Sequence, residues 1–234
     1  MLTLTAHQTG YIPWLGFFHK VALADVYVHF DQVQYTPKDF INRNKIKTSN
    51  GSCWLTVPVL KKGHREKNIA EIEINNTEKW REKHWKTIYA NYKRAPYFNR
   101  YAQFLNDLYH TNWQRLTELN FYVLIWLLKE LDIKTKVVRA GDYNFEGSKS
   151  DLVLNMCKQL GANTYIFGSQ GINYADINSF EMAKIKPVFQ DYQHPVYNQL
   201  CGDFVPYMSV LDLLFNEGPN SLDIIMSGNI QKCK

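Results

Sequence analysis

Cysteine is scarce in this chain: four in 234 residues, at 53, 157, 201 and 233, with no CxxC pair. That excludes a disulfide framework and a cysteine-based zinc module, and points to free thiols in a reducing compartment. The seven histidines include no HxH or HExxH pair, so no metal site is expected. There is no GxSxG element, and no cysteine has an obvious base partner, which disfavours covalent serine or cysteine chemistry. A Walker loop, GxGxxG and a DxD motif are also missing. No apolar run reaches about 18 residues, so no membrane span is expected. The longest run, FYVLIWLL at 121–128, is closely bounded by charges and reads as a buried helix. No basic region followed by a long apolar segment marks a signal peptide at the N-terminus, which with the thiols gives a cytoplasmic expectation.

What is present is enough apolar residue (45%) and aromatic residue (15%) to fill a core, with a mild net charge of +5. The basic stretches at 61–67 and 79–94 read as a polar loop and a solvated helix face. Nucleic acid would need a denser stripe or a recognisable module, whereas a phosphate-bearing ligand suits this balance.

The periodicities predict an α/β fold. A strand at 2–7, a helix at 15–24 and a second strand at 26–33 give a strand–helix–strand opening that favours parallel pairing. A polar loop follows at 36–52. Apolar segments at 52–60 and 69–74, joined by the basic turn at 61–68, read as a β-hairpin. Three helices at 78–94, 97–109 and 113–131 form a helical insertion. Strands at 135–139, 164–167 and 186–190 then alternate with helices at 148–160 and 177–183, and helices at 210–216 and 221–226 close the chain. The expected architecture is a mainly parallel sheet made from the N- and C-terminal thirds, with the hairpin and the helical insertion (78–131) between them, all in a single domain 1–234.

Polar residues crowd the ends of the predicted strands, where open α/β sheets bind ligands. His7 and Gln8 end the first strand, and Tyr11, Trp14 and His19 follow through a glycine- and proline-containing turn into a helix whose N-terminus favours an anion. Asp31 ends the second strand, and Asn42, Arg43 and Lys45 follow in a basic loop able to hold phosphates. Gly168 and Gly171, with Tyr174, end a later strand and let backbone approach a ligand. Gln190, Asp191, His194 and Gln199 form a fourth group, in which Asp191 and His194 could make an oriented acid–base pair. Each group also has a plainer reading: an aromatic turn packed on the core, a solvated basic loop, an ordinary strand–helix connection, or a polar turn beside a core tyrosine.

The run HQTGYIPWLGFFHKVALADVYVHFDQVQY, with NRNKIK, WLTVPV, GANTYIFGSQGINY, FQDYQHPVYNQL and FVPYMSVLDLLFNEGP, resembles the WbqC-like protein family from His7 to Pro219. Thr9 departs from the proline that follows His-Gln in the family. The resemblance implies a step on a sugar precursor in bacterial O-antigen or other surface-polysaccharide synthesis, with a nucleotide-linked amino sugar as substrate and amide formation as the reaction. The strand–loop–helix opening also looks like a nucleotidyltransferase-like fold, without its HxGH or KMSKS elements.

The leading expectation is acyl or aminoacyl transfer to that amino group. His7 or His194 serves as general base, Asp31 or Asp191 orients it, Arg43 and Lys45 hold the diphosphate, and Tyr11 and Trp14 stack on sugar or base. ATP or an activated acyl donor is the possible co-substrate. The rivals are an ATP-dependent carboxylate–amine ligase and a non-catalytic sugar-nucleotide-binding protein. A glycosyltransferase is the weaker option.

Overall fold

A computed structural model describes residues 1–228, and Cys233 lies outside the described residues. Strand β1 (Thr3–Gln8) runs through a tight turn into helix α1 (Leu15–Ala22), which returns the chain to β2 (Val26–Phe30). A β-hairpin, β3 (Arg43–Thr48) and β4 (Gly51–Thr56), precedes the helical block of α2 (Trp80–Tyr92), α3 (Phe98–His110) and α4 (Leu116–Glu130). The chain re-enters the sheet as β5 (Lys136–Arg139), α5 (Lys149–Leu160), β6 (Thr164–Phe167), α6 (Ile177–Met182) and β7 (Lys186–Phe189). It continues as a long irregular strap into α7 (Val210–Glu217) and α8 (Ser221–Ser227).

The main sheet has the order β5-β2-β1-β6-β7 and is parallel throughout. Of its four- to six-residue strands, β2 and β6 are buried along nearly their whole length, as inner parallel strands between helical layers must be, while the edge strands β5 and β7 are partly exposed. Leu4, Val28 and Val138 face a core completed by Val153 and Met156 of α5 and by Phe180 of α6. Tyr27 faces the opposite core, with Leu15, Phe18 and Val21 of α1 and the apolar faces of the helical block. The sheet is thus wound on both sides, and β1 is where the winding reverses. From β1 the chain moves outward through β2 to β5, then crosses back to β6 and β7 on the other flank.

The expected parallel sheet, hairpin and helical insertion are all present, but the hairpin lies earlier in the chain than the apolar pattern predicted. The stretch at 36–52, read as a loop, contains β3, which pairs antiparallel with β4 across the Ser49–Asn50 turn, with Gly51 at φ +111°. The stretch 69–74 is no strand: Ile69–Glu71 is a 3-10 turn closed by a capping box between Asn68 and Glu71. Only an isolated bridge, Val59 to Ile74, survives of the expected pairing. The physical reason is Pro58 in the first segment, which cannot donate to a ladder, together with a β3 whose inward groups are partly polar. Asn44 is buried and donates its amide to the Ile12 carbonyl at 2.7 Å, which hides the strand from a hydrophobic count.

Cys53, Cys157 and Cys201 carry free thiols. No helix among the described residues is long and apolar enough to cross a membrane.

Candidate functional site

A cavity of about 570 Å³ opens at the carboxyl ends of β1 and β6, where the strand order reverses. Open α/β sheets bind ligands at this position because adjacent connections leave over opposite faces and part there. His7 and Gln8 of β1, Trp14, Phe17 and Lys20 around α1, and Lys149 of α5 line it. Tyr165, the 168–171 turn, Tyr174 and Gln190 line it too. Its charged lining groups are basic, and no carboxylate faces it. Among the described residues no group of three or more His, Cys, Asp or Glu side chains is placed to hold a metal ion.

His7 is exposed toward the cavity, with its ring edge-on to Phe17 at 5.4 Å. Its Nδ1 lies 2.8 Å from the Gln8 carbonyl oxygen. A carbonyl can only accept, so Nδ1 carries the proton and Nε2 keeps its lone pair. The protein packed around the cavity mouth partly desolvates the ring and, reinforced by the Lys20 ammonium, pushes the histidine pKa down from its ordinary value. At neutral pH the ring is therefore an uncharged base. Lys20 sits one helical turn beyond Gly16, on the same face of α1. Its Nζ donates to the Ala6 carbonyl at 3.1 Å, and burial lowers its pKa to about 8.

Gln190, at the end of β7, donates its amide to both the Gly16 carbonyl and His19 Nδ1, each at 2.8 Å. This locks the N-terminal turn of α1 to the last strand of the sheet. It also leaves the proton of His19 on Nε2. In the 168–171 turn, a Cβ on Gly171 would lie 2.4 Å from Cβ of Phe167. We therefore expect Gly171→Ala to displace this turn and weaken ligand binding at least tenfold while far-UV circular dichroism stays unchanged. Retained affinity would show that the turn does not shape the site.

Of the residues singled out from sequence, His7, Gln8, Trp14, Gly168, Gly171, Tyr174 and Gln190 come together around the cavity, and His19 stands directly behind it. The others do not, and each has a structural occupation. The Tyr11 hydroxyl is buried against Tyr109 at 2.7 Å and His84 Nδ1 at 3.0 Å, tying the turn to the helical block. Asn42 donates to the Val57 carbonyl at 2.8 Å. Arg43 and Lys45 lie over the Trp54 ring on the hairpin, at 4.2 and 5.0 Å from its centre. Asp31 is buried and accepts from Thr117 at 2.6 Å and from Gln32 at 3.0 Å. Gln199 donates to Asp212 at 2.7 Å.

The Asp191–His194 pair is not formed. Asp191 is exposed, while His194 donates from Nδ1 to the Pro195 carbonyl at 2.8 Å and accepts the Tyr207 amide at Nε2, 3.2 Å away. His7 and His194 do not share the cavity. Trp14 stands between them, lining the cavity and stacking on His194 at 6.4 Å. Lys20 and Lys149 were given no role from sequence. Helical spacing could have placed Lys20 beside Gly16 and Phe17, but no local signal marks Lys149, which enters the site through the α5 crossover.

The model of the WbqC-like protein family matches residues 8–224. The uncharacterized protein Rv1507c of Mycobacterium tuberculosis (strain ATCC 25618 / H37Rv) is 37% identical over 223 residues, a match covering 93% of this chain and 95% of that protein. No solved structure matches. The chain belongs to the WbqC-like protein family.

Proposed function

We propose that this WbqC-like protein is an acyl- or aminoacyl-transferring enzyme that forms an amide on a nucleotide-linked amino sugar in bacterial surface-polysaccharide synthesis. The observation that carries this reading is the His7 ring, held through Nδ1 on the Gln8 carbonyl with Nε2 free, in a cavity that holds Lys20 and Lys149 and no carboxylate. The cations suit a diphosphate, and the unprotonated ring suits an amine that must lose a proton. In the reaction the amine nitrogen bonds to the acyl carbon, and the bond from that carbon to its carrier breaks with the electron pair leaving on the carrier. The displaced N–H proton passes to His7 Nε2. Lys20 lies on the cavity wall as the cation nearest His7's strand and holds phosphate oxygen or the charge developing on the carbonyl oxygen.

An ATP-dependent carboxylate–amine ligase is the second reading. The sheet order favours it: numbered by their place in the chain, the strands run third, second, first, fourth, fifth, an arrangement that serves nucleotide binding in other α/β proteins.

A thermal-shift panel of nucleotide-linked amino sugars, acyl donors and ATP separates the readings, since a ligand that binds the native state raises the melting temperature. Stabilisation by an amino-sugar nucleotide identifies the acceptor. On that substrate His7→Gln should lower kcat by about 10² or more, the scale of a general base, and Lys20→Met should chiefly raise KM. Full turnover by His7→Gln would rule out the mechanism. Pyrophosphate release requiring both ATP and a carboxylate would replace transfer with ligation. Tight binding without product under any donor would leave a sugar-nucleotide-binding protein.

A further inference from the structure

The carboxyl edge of the sheet does not end at the main cavity. A second hollow of about 380 Å³ opens beyond the ends of β2 and β5, and Phe30, Val33, Lys149 and Leu152 line both. The two hollows therefore adjoin along the sheet edge, with the first turn of α5 as their common wall.

The smaller hollow differs in character from the larger. Tyr143 and Phe145 line it with rings 5.1 Å apart and only 4° from parallel. Phe145 packs against the core on the α5 side of the sheet, whereas Tyr143 is 37% exposed. Gln32 lines the same hollow. Its amide nitrogen donates to Asp31 at 3.0 Å, while its amide oxygen has no hydrogen bond among the described residues. An exposed ring backed by a second ring, beside a free amide oxygen, suits a planar heterocycle that carries an N–H donor. Stacking supplies affinity for any such ring, and the amide supplies direction. Lys149 is the cation at the junction and forms no ion pair among the described residues.

We propose that the smaller hollow is the nucleobase subsite, with the base against Tyr143, the diphosphate passing Lys149, and the sugar amine reaching His7 and Lys20 in the main cavity. This rests on the reading of the ligand as nucleotide-linked. It adds a direction for that ligand and a recognition element that none of the sequence motifs carries.

Calorimetric titration with UDP, ADP and inorganic pyrophosphate tests it. The wild type should bind a nucleoside diphosphate at least tenfold more tightly than pyrophosphate. Tyr143→Ala, read at a temperature where the variant is fully folded, should remove about tenfold or more of the nucleotide affinity, the scale of one base stack, and leave pyrophosphate binding unchanged. Lys149→Met should weaken both classes. Unchanged nucleotide affinity in Tyr143→Ala and in Phe145→Ala overturns the subsite. Nucleotides binding no better than pyrophosphate also overturn it, while leaving the cationic cavity intact. If none of the three probes binds the wild type, or if those that bind keep full affinity in Lys20→Met, the nucleotide-linked reading falls and takes the subsite with it.

Discussion

Asp212→Ala should destabilise the protein by about 4 kcal/mol, within the range for stripping one partner from a buried charged network, and lower the melting temperature by roughly 10 °C for a chain of this size. Asp212 lies on α7 and is fully buried. Its carboxylate accepts from the Tyr92 hydroxyl at 2.7 Å, the Tyr197 hydroxyl at 2.8 Å and the Gln199 amide at 2.7 Å. Tyr92 in turn accepts the Lys47 backbone amide at 2.9 Å. One carboxylate thus joins α2, the hairpin, the strap after β7 and α7. Burial raises its pKa, and the three donors oppose that rise. Removing it strands two hydroxyls and an amide, each costing about 1–3 kcal/mol if not re-satisfied.

Asp212→Asn should cost about half as much. It keeps an acceptor for Tyr92 but turns an amino group toward Gln199, whose amide is fixed by Val205 through contacts at 2.8 and 3.0 Å. Chemical denaturation of the two variants measures the difference, and an Asp212→Ala loss below 1 kcal/mol would show the network to be dispensable. Because the strap leads from Gln190 to Ser209, loosening it should also weaken the Gln190 clamp on α1. A loss of ligand affinity in Asp212→Asn at a temperature where the variant is fully folded would report that link.

The parallel sheet could be read from the sequence because its signals are local and apolar: Val26, Val28 and Phe30 alternate, and Leu152, Met156 and Leu160 recur at helical spacing. The hairpin could not be found by that criterion. RNKIKT places charges on one side and Asn44 with Ile46 on the other, so its inward face is half polar. The Asn50–Gly51 pair was a direct turn signal that an apolar search passes over. The site was legible only along its first wall. His7, Gln8 and Trp14 are near in sequence, and the 168–171 turn announces itself by its glycines. Lys149 and Tyr143 join them through a crossover of β5 and α5, a relation fixed by strand order and not by spacing. Conversely, Arg43, Lys45 and Asp31 looked functional by residue type, yet the tertiary structure engages each of them with Trp54 or Thr117.

Acid should destabilise this protein steeply, in a window set by its buried imidazoles. His19, His29 and His84 are each 3% exposed or less. Burial pushes the pKa of His19 and His84 down to about 4 and lowers that of His29 despite the nearby Asp31. Their unfolded value is 6.5. Between these limits the unfolded chain binds protons that the folded chain refuses, so unfolding free energy falls as pH falls. The stability is fully present above about pH 6.5 and is lost as pH drops toward 4. Each ring contributes roughly 1–2 kcal/mol of loss by pH 5. Asp212, whose pKa is raised on folding, runs the other way and blunts the effect.

His84 is the ring to test, because its hydrogen bonds define its neutral form: Nε2 donates to the Thr56 carbonyl at 3.1 Å, and Nδ1 accepts from Tyr11 at 3.0 Å. Protonation would force the Tyr11 hydroxyl to turn its hydrogen from Nδ1 to the Tyr109 oxygen and would leave a cation in a buried site. His84→Gln should lower stability at pH 7.5 and also flatten the dependence on pH between 7.5 and 5 by about a quarter, since His7 shares the lowered pKa of the three buried rings. The slope, not the absolute stability, decides the matter, since any disruptive change lowers the latter. An unaltered slope in His84→Gln would mean that this imidazole takes up its proton over the same pH range in the folded state as in the unfolded chain.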